Sequence, residues 1–247
     1  MIISNKNASV ITDIISWENA FKEVDNKKHW KKGRSAHSLA TYFTNPTIEQ
    51  SYGIEKIKEF INACGYNNIE FTHARIEHES HFDSYKGSGR MHDMVIWAQS
   101  GEHHIVVCIE AKVDETFDDM LSLAYNKSLE YVTSKKAERI EKLCQNYLKT
   151  QATDISAEND IRYQLLHYLA GSIKEAKCYG NIAFMPIMVF NTGDKYDISK
   201  GMENKKDYEN FLRVLNFVYD DQTQIYKKTI DGVEVFTCYI EIPLKNL

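Results

Sequence analysis

The chain is poor in proline and has no linker. Pro46, Pro186 and Pro243 are the only prolines among 247 residues. No Pro/Gly/Ser-rich tract, internal repeat or low-complexity run interrupts the sequence, so a single domain over residues 1–247 is expected. Cysteine is sparse and unpaired in pattern. Cys64, Cys108, Cys144, Cys178 and Cys238 are odd in number, far apart and without a C-x-x-C, which excludes a disulfide framework and a thiolate zinc site. Most sit inside apolar patterns, as free cysteines do in a reducing compartment, and a cytoplasmic protein is expected. No window approaches the roughly 20 apolar residues of a membrane span. The opening MIISNKNASVITDIISW has no basic segment followed by a long apolar one, so no signal peptide and no membrane partner are expected. Positive charge is also in deficit, with a net charge of −5. That excludes a globally basic nucleic-acid binder but not one that meets phosphates through a local patch. KKHWKKGRSAH is such a patch, with Lys27, Lys28, Lys31, Lys32 and Arg34 and no acid. It reads equally as a solvated loop and helix end.

What is present is a succession of helical and strand periods. ISWENAFKEV is amphipathic, with Ile15, Ala20, Phe21 and Val24 near helical spacing. GRSAHSLATYF reads as a second helix with Ser35 as its N-cap, and IEKIKEFINAC as a third. The period then changes. Residues 69–82 alternate, MHDMVIWAQ and HHIVVCIEAKV are apolar runs, and SGE between them is a turn. These three segments make an antiparallel meander, and the near-continuous apolar runs suit a sheet covered on both faces. Helices are expected in FDDMLSLAYNKSLEYV, KKAERIEKLCQNYLK and AENDIRYQLLHYLAGSIKEAK, then a buried strand in NIAFMPIMVF, a helix in YENFLRVLNFVY and a last strand in GVEVFTCYIEIP. A strand reached through long helices enters by a crossover. The fold class is therefore α/β, a mixed sheet of a three-strand meander plus a crossover strand, flanked by helices, with an N-terminal helical segment.

The chemistry concentrates in DMVIWAQSGEHHIVVCIEAK, residues 93–112. Residues i and i+2 of a strand share a face, so Glu110 and Lys112 point the same way. In a hairpin the start of one strand lies beside the end of the next, which brings Asp93 level with residues 108–112. Two carboxylates that close repel unless something positive lies between them. Mg²⁺ takes one or two carboxylates plus waters and phosphate, and a lysine beside it supports phosphodiester hydrolysis.

An acid, sixteen residues and then Glu-x-Lys, on consecutive strands between helices, resembles the PD-(D/E)XK nuclease superfamily, the restriction-endonuclease-like fold. The residues that match are Asp93, Glu110 and Lys112, and the family's core corresponds to about residues 50–190. His92 stands where the family's pattern has proline. The resemblance implies a metal-dependent nuclease, DNA its expected substrate. Asp93, Glu110 and the Ala111 carbonyl would hold Mg²⁺ (or Mn²⁺), with Glu77 or Glu79 as a further ligand, and Lys112 would assist the attacking water. It also implies a role near the metal or phosphate for Gln164 on a later helix, accessory acids at Glu49 or Glu55, and action as a homodimer, as many members cut two strands.

Two other readings stand beside it. The same fold serves as a catalytically inactive binding module for protein or nucleic acid. Alternatively, His73, His78, His81, His92, His103 and His104 crowd the strand region and invite a zinc hydrolase, although HESH is not H-E-x-x-H and lies on a predicted strand.

Overall fold

A computed structural model describes residues 1–24, 30–48, 50–131, 133–193 and 196–243. Its centre is a nine-stranded mixed sheet in the order β2-β1-β3-β4-β5-β6-β9-β8-β7. The strands are β1 (Ile2–Ser4), β2 (Val10–Ile11), β3 (Ile69–Ser80), β4 (Arg90–Ser100), β5 (His103–Lys112), β6 (Ile182–Phe190), β7 (Val218–Asp220), β8 (Ile225–Ile230) and β9 (Val233–Ile242). The meander β3-β4-β5 is antiparallel, the crossover strand β6 runs parallel to both β5 and β9, and β8 pairs antiparallel with β9. The alternating short strands β1, β2, β7 and β8 extend the sheet beyond the expected set.

Helices cover both faces. On one lie α1 (Ile14–Val24), α2 (Ser35–Thr44) and α3 (Tyr52–Ala63), whose Trp17, Leu39, Phe43, Ile57 and Ile61 pack against Met94, Ile96, Val107, Ile109 and Met188. On the other lie α4 (Leu121–Leu129), α5 (Lys136–Leu143), α6 (Tyr163–Tyr179) and α7 (Ile198–Val214), with Leu165, Leu169, Ile173 and Phe211 against Val95, Val106, Ala183 and Ile187. Every residue of β6 is buried, as a central strand sandwiched by helices requires. Among the described residues no helix is long and apolar enough to cross a membrane.

Several element ends differ from expectation. Ile15 of α1 is exposed, and Trp17 with Ala20 and Phe21 makes the buried stripe instead. Ser35 is the first helical residue of α2; Arg34 occupies the cap position without a side-chain cap bond. α4 starts at Leu121 rather than Phe117, because Met120 bridges to Arg162. α5 passes into a π-helical turn at Cys144–Leu148. α6 starts at Tyr163, after Arg162 has been drawn into ion pairs with Glu203 and Asp207 of α7. α7 begins ten residues before the expected helix, capped by Asp197.

Two irregularities position the site. Pro186 lacks the N–H that would continue the β5–β6 ladder, and the paired residues skip from Val107/Phe184 to Glu110/Ile187. The Tyr168 hydroxyl fills the gap by donating to the Cys108 carbonyl and lying 3.2 Å from that of Pro186. The second irregularity is in β3. Ile76 and Met94 are paired in the first core, yet the next pair, His78 and His92, meets α6 through Glu175 and Tyr168. Residues two apart should share a face. The alternation breaks at Glu77, which has a left-handed φ of 46°, an uncommon conformation for a non-glycine residue within a strand.

Candidate active site

The sheet forks at this break. The β4–β5 ladder stops at Met94/Ile109, while β4 stays paired to β3 as far as Arg90 and β5 to β6 as far as Lys112. The backbone groups of β5 beyond Ile109 therefore need other partners. Asp93 supplies one: its Oδ2 accepts the Ala111 N–H at 2.6 Å. A strand residue's N–H and C=O face the same neighbour, so the Ala111 carbonyl also faces the fork.

Glu110 is the hub of the cluster and is 2 % exposed. Its Oε2 is ion-paired with Arg90. Its Oε1 accepts from Gln164 Nε2 at 2.7 Å and lies 3.1 Å from Lys112 Nζ. Lys112 in turn donates to Gln164 Oε1 at 3.0 Å, so Gln164 bridges the acid and the lysine from the first turn of α6. Burial, and then the neighbouring Glu110 charge, push the Asp93 carboxyl up to about 7, against the opposing pull of the Ala111 N–H, Lys112 and Arg90. The cluster opens into a cleft of about 550 Å³, lined by Arg34, Arg90, Lys112, Gln164, His167 and Lys200 among others. Arg34 spans its wall in an ion pair with Asp114.

The structure thus brings together Asp93, Glu110, Lys112, the Ala111 backbone and Gln164. Glu77 stands level with Asp93 in the β3–β4 register. Glu79 is turned to other work, accepting the Gly89 N–H at 2.7 Å and closing the loop after β3. Glu55 lies on α3 across the sheet, beside Lys58. Lys31 and Lys32 are exposed just before Arg34. Lys27, Lys28 and Glu49 lie outside the described residues.

The histidines are dispersed. His73 stacks on Trp97, His78 pairs with Glu175, His103 meets Tyr66 and His104 meets Tyr179. His81 lies beyond the end of β3. Among the described residues no group of three or more His, Cys, Asp or Glu side chains is arranged to hold a metal, which leaves the zinc reading without a ligand set. A Mg²⁺ site needs only one or two carboxylates, completed by carbonyl, water and phosphate oxygens. The all-oxygen set of Asp93, Glu110 and Ala111 fits that chemistry, although both Glu110 oxygens are engaged by protein groups.

Sequence reasoning missed Arg90, which follows GSG and reads as a turn residue. Its approach to Glu110 depends on Gly171 of α6. A Cβ there would come within 2.8 Å of Arg90 Cβ and Cγ and 2.7 Å of His92 Nε2. Gly171→Ala is expected to destabilise the protein by about 1–3 kcal/mol through overpacking, read as a Tm several degrees lower in thermal denaturation. An unchanged Tm would mean that α6 tolerates the shift.

A helix-covered mixed sheet, forked over a buried Asp-Glu-Lys-Gln-Arg cluster, is the class of protein that fold and site define. The chain belongs to the family described as Domain of unknown function (DUF6946), whose model matches residues 10–244. No curated protein and no solved structure matches it.

Proposed function

We propose that this protein is a metal-dependent phosphodiesterase of the PD-(D/E)XK kind, acting on nucleic acid, with DNA the expected substrate. The observation that carries the reading is the convergence of Asp93, Glu110 and Lys112 at the fork, with Gln164 tying the lysine to the acid. The meander β3-β4-β5 followed by parallel β6 supports a restriction-endonuclease-like core. Asp93, Glu110 and the Ala111 carbonyl would hold Mg²⁺ or Mn²⁺. When bound, the metal supplies Lewis-acid polarisation and a more acidic water. Lys112, held by two acceptors, presents a fixed positive charge to oxygen atoms that gain charge during the reaction. Arg34 and Lys200 on the cleft wall offer phosphate contacts, a narrower footprint than the basic segment from Lys27 to Arg34.

Incubation of the purified protein with supercoiled plasmid, and separately with single-stranded RNA, tests this. The expected result is strand cleavage of DNA that requires Mg²⁺ or Mn²⁺ and stops on chelation. Absence of cleavage together with absence of Mn²⁺ binding by calorimetry would sink it. One observation favours the inactive binding module as a second reading: Glu110 is already neutralised by Arg90 and Lys112. That reading gains if DNA or a protein is bound without any metal requirement.

A further inference from the structure

Among the described residues three arginines sit in protected ion pairs, and one differs from the others. Arg139 uses Nε and Nη2 on the Asp83 carboxylate and Nη1 on the Ser88 carbonyl. Arg162 uses Nε on Asp207, Nη1 on the Asp118 carbonyl and Nη2 on Glu203. Each fork is filled, as expected of arginines that hold a fold together. Arg90 reaches Glu110 through Nη2, and its buried Nε has no partner. A guanidinium has five donors in a fixed fork, so Arg90 is under-used where it stands. Its stem is fixed against Gly171, its guanidinium lies over the Tyr168 ring at 5.5 Å, and its side chain lines the cleft.

Charge adds the second part. Asp93 and Glu110 bring at most two negative charges against the two cations Arg90 and Lys112 in the fork. A divalent cation added to this set leaves an excess of positive charge with Arg90 still in place. A phosphodiester anion in the cleft offsets that excess and offers the paired oxygens that a guanidinium fork matches.

We infer that Arg90 is an exchangeable counter-cation. It neutralises Glu110 in the metal-free protein, and it passes to a phosphodiester in the cleft when a divalent cation takes the carboxylate. Metal and phosphodiester binding are thereby coupled, each strengthening the other by the same factor. The inference rests on the phosphodiesterase reading, and Arg90 is in it a positioning and substrate-contacting residue that the Asp…Glu-x-Lys pattern does not include.

Calorimetric titration with Mn²⁺, with and without dimethyl phosphate as the simplest phosphodiester, tests it. In the wild-type protein dimethyl phosphate is expected to tighten Mn²⁺ binding about tenfold, within the usual span of coupling between sites. Arg90→Met is expected to bind Mn²⁺ about tenfold more tightly than wild type on its own, because the competing cation is gone, and to lose the response to dimethyl phosphate. Arg90→Lys keeps a charge in the fork and guards against a variant that fails to fold; it is expected to fall between the two. If Arg90→Met binds Mn²⁺ no more tightly than wild type, or keeps the full response to dimethyl phosphate, Arg90 is a structural ion-pair partner only. In that case metal-dependent cleavage by the wild type still stands, so the two failures are distinct. If the wild-type protein binds no Mn²⁺, the phosphodiesterase reading falls and takes this inference with it.

Discussion

Lys112→Met is expected to lower metal-dependent DNA cleavage by about a thousand-fold without weakening Mn²⁺ binding. The separation follows from geometry. Lys112 is not an oxygen donor, so its loss removes no ligand. Its ammonium is held by Glu110 Oε1 and Gln164 Oε1 and points where charge would develop on the substrate. Methionine keeps the length of the apolar stem against Phe117, over whose ring the ammonium lies at 5.2 Å. Glu110 retains Arg90 as its counter-charge, so the fork should still fold. Asp93→Asn is expected to behave differently, losing both cleavage and Mn²⁺ affinity. Gln164→Ala removes two supporting hydrogen bonds, one to Glu110 and one from Lys112, and is expected to cost about 10–100-fold in activity. Single-turnover cleavage and calorimetry on the same preparations separate these cases. Cleavage by Lys112→Met within a few-fold of wild type would remove the lysine from the mechanism, and with it the main functional argument.

The sequence carried this cluster unevenly, for physical reasons. Strand parity joins Glu110 to Lys112, and hairpin geometry adds Asp93; both are local rules, and the observed Asp93–Ala111 bond agrees with them. Gln164 was legible as a polar residue at the border of an apolar helical face. Arg90 was not, because its place depends on a glycine some eighty residues away and on a break in alternation at Glu77 that no periodicity announces. The layered sheet was legible because β4, β5, β6 and α6 carry strong apolar patterns. The outer strands were not: β2 has two residues, β7 has three, and half of IYKKTI in β8 is polar. The early start of α7 was hidden by ISKGMENKK, which has few apolar residues and is fixed by the Asp197 cap.

Stability is expected to fall as pH drops below about 7, with the buried His92 and His167 driving the loss. His92 is fully buried with neither ring nitrogen hydrogen-bonded. Burial first, then the Arg90 charge, lower its pKa well below the ordinary histidine value. The same two causes, with Arg139, lower His167 to about 3, where it stacks on Tyr163 and meets the edge of Phe82. In the unfolded chain both titrate near 6.5. As pH falls below 6.5 the unfolded state therefore takes up protons at both sites that the native state resists, and stability is lost. Asp93 acts in the opposite sense. Its native carboxyl holds a proton up to about 7, whereas the unfolded one releases it near 3.8, so the native state gains one proton over the same window. Among these three groups the unfolded state binds up to one proton more than the native state, a slope of at most about 1.4 kcal/mol per pH unit. Above about pH 7 the unfolded histidines and the native Asp93 carboxyl lose their protons together, so stability is nearly flat. Urea unfolding across this range measures the slopes. Asp93→Asn is expected to steepen the loss toward acid, because the native state no longer gains a proton of its own there. His167→Phe keeps the ring packing and is expected to flatten the acid limb. An acid limb in His167→Phe as steep as in wild type would show that this buried ring takes up no proton on unfolding, and would leave the acid sensitivity to the carboxylates.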